Sequence, residues 1–190
     1  MAALTGRGPF LNLLGKKRLG SLFTYRDVDW GIPMIGNPIA RSLARGGLSN
    51  IWGASCYPLG THDYGLWPLG NDELTPHYAK VADLLHLNQA KDDLSDVYPT
   101  PGRCQAPMPL NERAHRLLEH WQAHRSPLRA AGFRFGRARL AVRTSPTASG
   151  ETCERCGLCL TGCPYDAIYR ADWTLDQLRS SENFTYRSGF

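Results

Sequence analysis

No uninterrupted apolar run in this sequence approaches the roughly 20 residues that a bilayer span requires, so no membrane span is expected. A secretory signal core is missing too: Phe10-Leu-Asn-Leu-Leu14 is short and precedes its basic residues, Lys16-Lys17-Arg18, instead of following them. Lysine is scarce. The net charge of +5 rests on arginines, and these are scattered instead of being clustered on one face with aromatics between them. That distribution reads as solvated surface and argues against a nucleic-acid partner. There is no internal repeat. Hydrophobic content of 42% and charged content of 21% exclude wholesale disorder, and 190 residues can bury one core and hardly two. Nineteen glycines and thirteen prolines predict much irregular structure.

A second Cys-x-x-Cys knuckle is also absent, which bears on the most informative stretch, Cys153-Glu-Arg-Cys156-Gly-Leu-Cys159-Leu-Thr-Gly-Cys163-Pro164. Its spacings of two, two and three, with proline directly after, are those of the bacterial-ferredoxin run for an iron–sulfur cluster. Three thiolates two residues apart can wrap one loop around a [4Fe–4S] cube, and Gly157 and Gly162 let the backbone come close. Pro164 suits the first turn of a helix that Cys163 would start. Zinc prefers two separated knuckles or a Cys pair with a His pair. Thiols packed as small hydrophobes, or paired as disulfides, are the other competing reading. In two-cluster ferredoxins the fourth cysteine ligates the other cluster, and no second run exists here. The fourth ligand is therefore Cys163, Cys56 or Cys104, with Cys163 preferred as nearest in sequence. Cysteines bunched in this way point to a reducing cytoplasm rather than a disulfide framework.

The stretch Arg41 to Ala54 contains Gly46-Gly47-Leu-Ser49-Asn50-Ile-Trp52-Gly53, a poor helix and a poor strand. Such a loop offers backbone N–H groups and a flat aromatic to a planar or phosphorylated ligand, although composition alone favours a tight structural turn. Further on, Thr75 is the expected cap of a helix with Pro76 in its first position and Tyr78, Val81, Leu84 and Leu85 on one face. Residues 88–110 read as a long loop containing Cys104. A second helix is expected from Asn111, striped by Ala114, Leu117, Leu118 and Trp121. His120 and His124 lie one turn apart on it and read as exposed side chains rather than metal ligands. Residues 133–142 read as a strand whose alternation changes parity at Gly136, suggesting a bulge. Thr174 is the expected cap of a short helix through Leu178, and Asn183 to Phe190 has strand character.

Several of these stretches together resemble the glucose–methanol–choline family of flavin oxidoreductases: Gly46 to Ala54, Trp67-Pro68-Leu69, and Glu73-Leu74-Thr75-Pro76-His77-Tyr78. A branch of that family carries a ferredoxin-like cysteine loop followed by segments similar to Ala167-Ile168-Tyr169 and Thr174-Leu175-Asp176-Gln177-Leu178. Leu19-Gly20-Ser21 and Tyr25-Arg26 also fit. The resemblance implies an FAD enzyme removing hydride from an alcohol carbon of a sugar-like or other polyol substrate and passing electrons to a redox partner. It carries flavin contact to Gly46, Gly47, Ser49, Asn50, Trp52 and Gly53. The family's opening Gly-x-Gly-x-x-Gly, which holds the FAD pyrophosphate, has no counterpart: Gly6-Arg7-Gly8 is followed by Leu11 where the third glycine belongs. The family's catalytic histidine would fall beyond Phe190, so the resemblance implies an interior piece of a longer enzyme. Among the histidines present only His62, in a loop close to the flavin stretch, is kept as a stand-in base.

The expected fold is mixed α/β, irregular and loop-rich. Residues 1–145 are the expected partial FAD and substrate region, 146–170 the ferredoxin-type loop with Cys153, Cys156, Cys159 and Cys163 as cluster ligands, and 171–190 the start of a returning FAD-domain segment. The rivals from other classes are a self-sufficient single-cluster electron carrier and a structural zinc module.

Overall fold

The computed structural model describes residues 42–60, 63–98, 102–146, 148 and 150–188. The readings placed on Gly6–Gly8, Lys16–Arg18, Leu19–Ser21, Tyr25-Arg26, Arg41 and His62 lie outside these residues. The chain divides into two units. One is Ala54–Cys153; the other combines the stretch ending at Gly53 with the stretch beginning at Glu154.

The Ala54–Cys153 unit holds three helices. Helix α1, Asn71–Leu84, starts earlier than expected. Its cap is Gly70, whose N–H donates to the Glu73 carboxylate at 2.9 Å, and Pro76 therefore falls inside the helix, not at its first position. The Glu73 carboxylate takes up the Gly70 N–H at the start, which offsets part of the cost of the proline. The face carrying Val81 and Leu84 is substantially exposed, and Ala82 is the residue that α1 contributes to the core. Helix α2, Glu112–Ala123, begins where expected: the Asn111 side-chain oxygen accepts from the Ala114 N–H at 2.8 Å. Helix α3, Arg125–Ala130, follows at once. Trp121 on α2 meets Phe133 and Phe135 edge-on, each at 5.7 Å between centroids.

Residues 133–142 form no strand, and the α/β expectation is corrected to helices joined by irregular chain: among the described residues the only β pairing is isolated bridges, such as Ser55 with Leu140 and Asn88 with Gln105 and Leu140. The cause is visible in where the backbone groups go. Cys56 N–H donates to Arg139 O and Ala141 N–H to Ala54 O, which is one short antiparallel pairing. On the other side the Asn88 backbone pairs with Leu140 in both directions, but the pairing goes no further: the buried Asn88 side chain, donating at 2.9 Å to Leu140 O and Val142 O, takes up the next carbonyl. Upstream, the Arg137 N–H goes to the Asp92 carboxylate at 2.7 Å. The parity change at Gly136 marks this approach, not a strand bulge: a Cβ on Gly136 would lie 2.4 Å from Asp92 Cγ. The 183–188 stretch, read as strand, is likewise irregular.

The core of this unit is small and partly polar. Ala54, Ala82, Leu87, Phe135, Ala141 and Val142 surround buried Asn88, Asp93 and Arg139. Arg139, 1% exposed, is held by Asp92 and by the carbonyls of Arg137 and Ala90. The 3-10 turn Asp93–Asp96 that brings these acids in is capped by Asp92 itself.

Among its described residues the second unit carries one α-helix, α4, Ala171–Leu178, with Thr174 inside it rather than at its cap. Two 3-10 turns, Gly47–Ile51 and Cys159–Thr161, are the other regular elements among its described residues. Ile51, Ala167 and Ile168 are its buried apolar residues.

Candidate cofactor site

The Gly46–Gly53 loop folds as the tight turn its composition favours. Gly46 sits at φ +82°, where L side chains are strained, and a Cβ there would crowd the Asn50 side chain at 3.1 Å and the Asp172 N–H at 3.2 Å. The polar side chains of the loop are turned inward. Asn50, buried, donates to the carbonyls of Arg45 and Gly47 at 2.8 and 2.9 Å. Ser49 donates to Gly46 O and accepts from the Ala171 N–H at 2.8 Å. Trp52 is half-buried, and its indole N–H donates to Tyr169 O at 2.9 Å. Arg45 pairs with Asp176 on α4. Of the six expected flavin contacts, Ser49, Asn50 and Trp52 are thus spent on holding the loop, while Gly47 and exposed Gly53 carry no side chain to obstruct a ligand. Gly46→Ala is expected to cost about 2 kcal/mol, the left-handed backbone and the crowding adding together; a shift in the urea midpoint checks it.

The cysteine loop packs directly on this turn. A Cβ on Gly53 would stand 3.3 Å from the side chain of Leu160, and one on Gly162 would stand 3.6 Å from Asn50 O. The Cys159–Thr161 turn and the Gly47–Ile51 turn are therefore neighbours, joined on their other side by α4 through Ser49.

Within the cysteine loop Arg155, Gly157, Gly162 and Asp166 all have positive φ, so the chain coils tightly. The helix expected after Pro164 does not form; Asp166 at φ +49° closes a turn instead, and the Ala167 N–H returns to Cys163 Sγ at 3.4 Å. Cys156 is exposed, while Cys153, Cys159 and Cys163 are half-buried. Cys153 is the last residue of the other unit, its N–H donating to Arg143 O. None of the six cysteines forms a disulfide. The donor set suits a soft metal or an iron–sulfur cluster in kind: four thiols at cluster spacing, one already receiving an amide N–H. In arrangement the thiols are not gathered: among the described residues no three His, Cys, Asp or Glu side chains converge as a metal site.

The other ligand candidates differ in their thiols. Burial pushes the Cys56 thiol up, and burial, followed by the Asp83 charge, does the same for Cys104; both are made poorer thiolates. His120 and His124 stack at 4.6 Å on the exposed surface of α2, with His124 Nδ1 against His120 O. His86 contacts Arg143 at 3.2 Å, and burial with that neighbouring charge lowers its pKa, which keeps it neutral.

Sequence reasoning missed the supports of the loop: Arg45, Leu160, Tyr169 and Asp176. The composition of Tyr169 to Asp176 carries no signal that it holds a turn more than a hundred residues upstream. Among the described residues no helix is long and apolar enough to cross a membrane. Compared with known proteins, the sequence matches no family model and no curated protein.

Proposed function

We propose that this chain is part of an FAD-dependent oxidoreductase of the glucose–methanol–choline type, acting on CH–OH groups of a sugar-like or other polyol, with a [4Fe–4S] cluster on its cysteine loop. The observation that supports the reading is the packing of the Cys159–Thr161 turn against the Gly47–Ile51 turn within one unit, since a cluster serves as a relay only beside its redox partner. When bound, FAD would accept hydride from the alcohol carbon and the cluster would carry electrons onward singly. Cys153, Cys156, Cys159 and Cys163 are the proposed ligands. The Ala167 N–H already points at Cys163 Sγ, the kind of backbone contact that orients a metal-ligating thiol. Gly47 leaves open space beside the turn, while Ser49, Asn50 and Trp52 hold its shape and Gly46 and Gly53 admit the close packing of Asn50 and Leu160. The unit that carries this turn contains no histidine of its own.

The test is cofactor analysis of the native protein isolated without oxygen from its source cells. The expected result is roughly one FAD for every four irons, with acid-labile sulfide equal to iron. Iron and sulfide without flavin would favour the stand-alone electron carrier. Stoichiometric zinc without sulfide would sink both.

A further inference from the structure

A cavity of about 450 Å³ lies within the Ala54–Cys153 unit, bounded by the 3-10 turn Asp93–Asp96, α2 and the Phe135–Arg137 stretch. Its size suits a metabolite. Leu118 and Phe135 give it an apolar wall, and Gln122 is a neutral donor in that wall. Five charged side chains also line it: Lys91, Arg125 and Arg137, with Asp92 and Asp93.

The two carboxylates are already matched from behind. Asp92 is held by Arg139, and Asp93 by Arg129 as well as Arg125; neither Arg129 nor Arg139 lines the cavity. When Asp96 and Arg134 are included, six basic side chains share three carboxylates. The excess is localised. Among the described residues neither the Lys91 ammonium nor the Arg137 guanidinium has an ion-pair partner, whereas every acid of the network has at least one. Uncompensated cations around a concave surface repel one another and focus a positive potential into it, which a bound anion relieves.

We propose that this cavity binds a small phosphorylated molecule, its phosphate held by Lys91 and Arg137 and its carbon skeleton against Leu118 and Phe135. A phosphate dianion offsets more of the surplus than a single carboxylate, and its several oxygens accept from a guanidinium and an ammonium together. The site concerns the Ala54–Cys153 unit alone and is independent of the flavin and cluster reading.

Calorimetric titration of the intact chain at low ionic strength tests it, with glycerol 3-phosphate, inorganic phosphate and malonate as probes. The ester is expected to saturate a single site and to bind more tightly than either competitor. Lys91→Gln and Arg137→Gln should each weaken the ester about tenfold or more, with unfolding temperatures equal to the parent's because neither side chain loses a partner. Arg113→Gln, on exposed α2 and outside the cavity wall, should bind as the parent does. Absence of ester binding, binding unchanged in both cavity variants, or an order with malonate or free phosphate tightest would overturn the assignment.

Discussion

Asp92→Ala is expected to cost the Ala54–Cys153 unit about 3–5 kcal/mol, a large share of the marginal stability of a small domain. The Asp92 carboxylate accepts from four N–H groups: Leu94 at 3.1 Å, Arg137 at 2.7 Å and the Arg139 guanidinium at 2.8 and 3.2 Å. Arg139 is 1% exposed, so removing its counter-charge leaves a cation in the core that water cannot reach. Arg139 Nε already lacks a partner, and the acceptors that would remain, Arg137 O, Ala90 O and Ser95 Oγ, are neutral and leave the charge uncompensated. Gly136→Ala should cost a similar amount by another route, because the new methyl would occupy the place of the carboxylate itself. The two effects are therefore not additive: in an Asp92→Ala background, Gly136→Ala should cost well under 1 kcal/mol. Urea unfolding of the four proteins in the cycle measures this. Full additivity would mean that Gly136 and Asp92 act separately.

The neighbouring Asp93 gives the same unit an acid dependence. A hydrogen bond from Arg125, with the charges of Arg125 and Arg129, holds the Asp93 carboxyl below its ordinary value against the opposing effect of burial. A carboxyl depressed in the folded state contributes stability that is fully present above its unfolded pKa of about 4 and is lost as pH falls through the folded value. The urea midpoint should therefore decline between about pH 5 and pH 2, and Asp93→Asn should flatten part of that decline. An identical acid profile in parent and variant would remove Asp93 from the account.

Local signals in the sequence were reliable wherever one residue satisfies its own neighbourhood. Asn111 announces α2 because an N-cap needs only the three residues after it, and the Trp121 stripe follows from helical period alone. The same logic misplaced α1: Thr75-Pro76 is a good start signal, but Gly70 with Glu73 is an earlier one and the chain uses it. Strand character at 133–142 failed for a non-local reason. A ladder needs a partner of matching length, and here the backbone pairing of Asn88 with Leu140 is flanked by side chains, Asn88 Nδ2 on Val142 O and the Asp92 carboxylate on the Arg137 N–H. At the candidate site, the glycines and cysteines were legible because their types are unusual at such spacing. Their adjacency is not legible in the sequence, because Tyr169 O and the Ala171 N–H, which hold the glycine turn, are backbone atoms that no residue type signals.

Cluster loading is expected to depend steeply on single thiols. Cys156→Ser should lower iron and sulfide incorporation on anaerobic reconstitution from roughly four of each per chain to a small fraction. Cys153→Ser and Cys159→Ser should do the same, since an alkoxide is a far poorer ligand for iron than a thiolate. Cys163→Ser is the discriminating variant. Its sulfur receives the Ala167 N–H and it lies nearest in sequence to the other three, whereas burial raises the thiols of Cys56 and Cys104. Loss with Cys163→Ser and retention with Cys56→Ser and Cys104→Ser is the expected pattern; the reverse would transfer the fourth position to Cys56 or Cys104. Loading should also reorganise the loop, because the thiols do not converge among the described residues and binding energy must gather them. Protection of the Glu154–Tyr165 stretch from proteolysis should rise when iron and sulfide are added and fall when they are chelated. Reconstitution that leaves this protection unchanged would mean that the metal sits elsewhere.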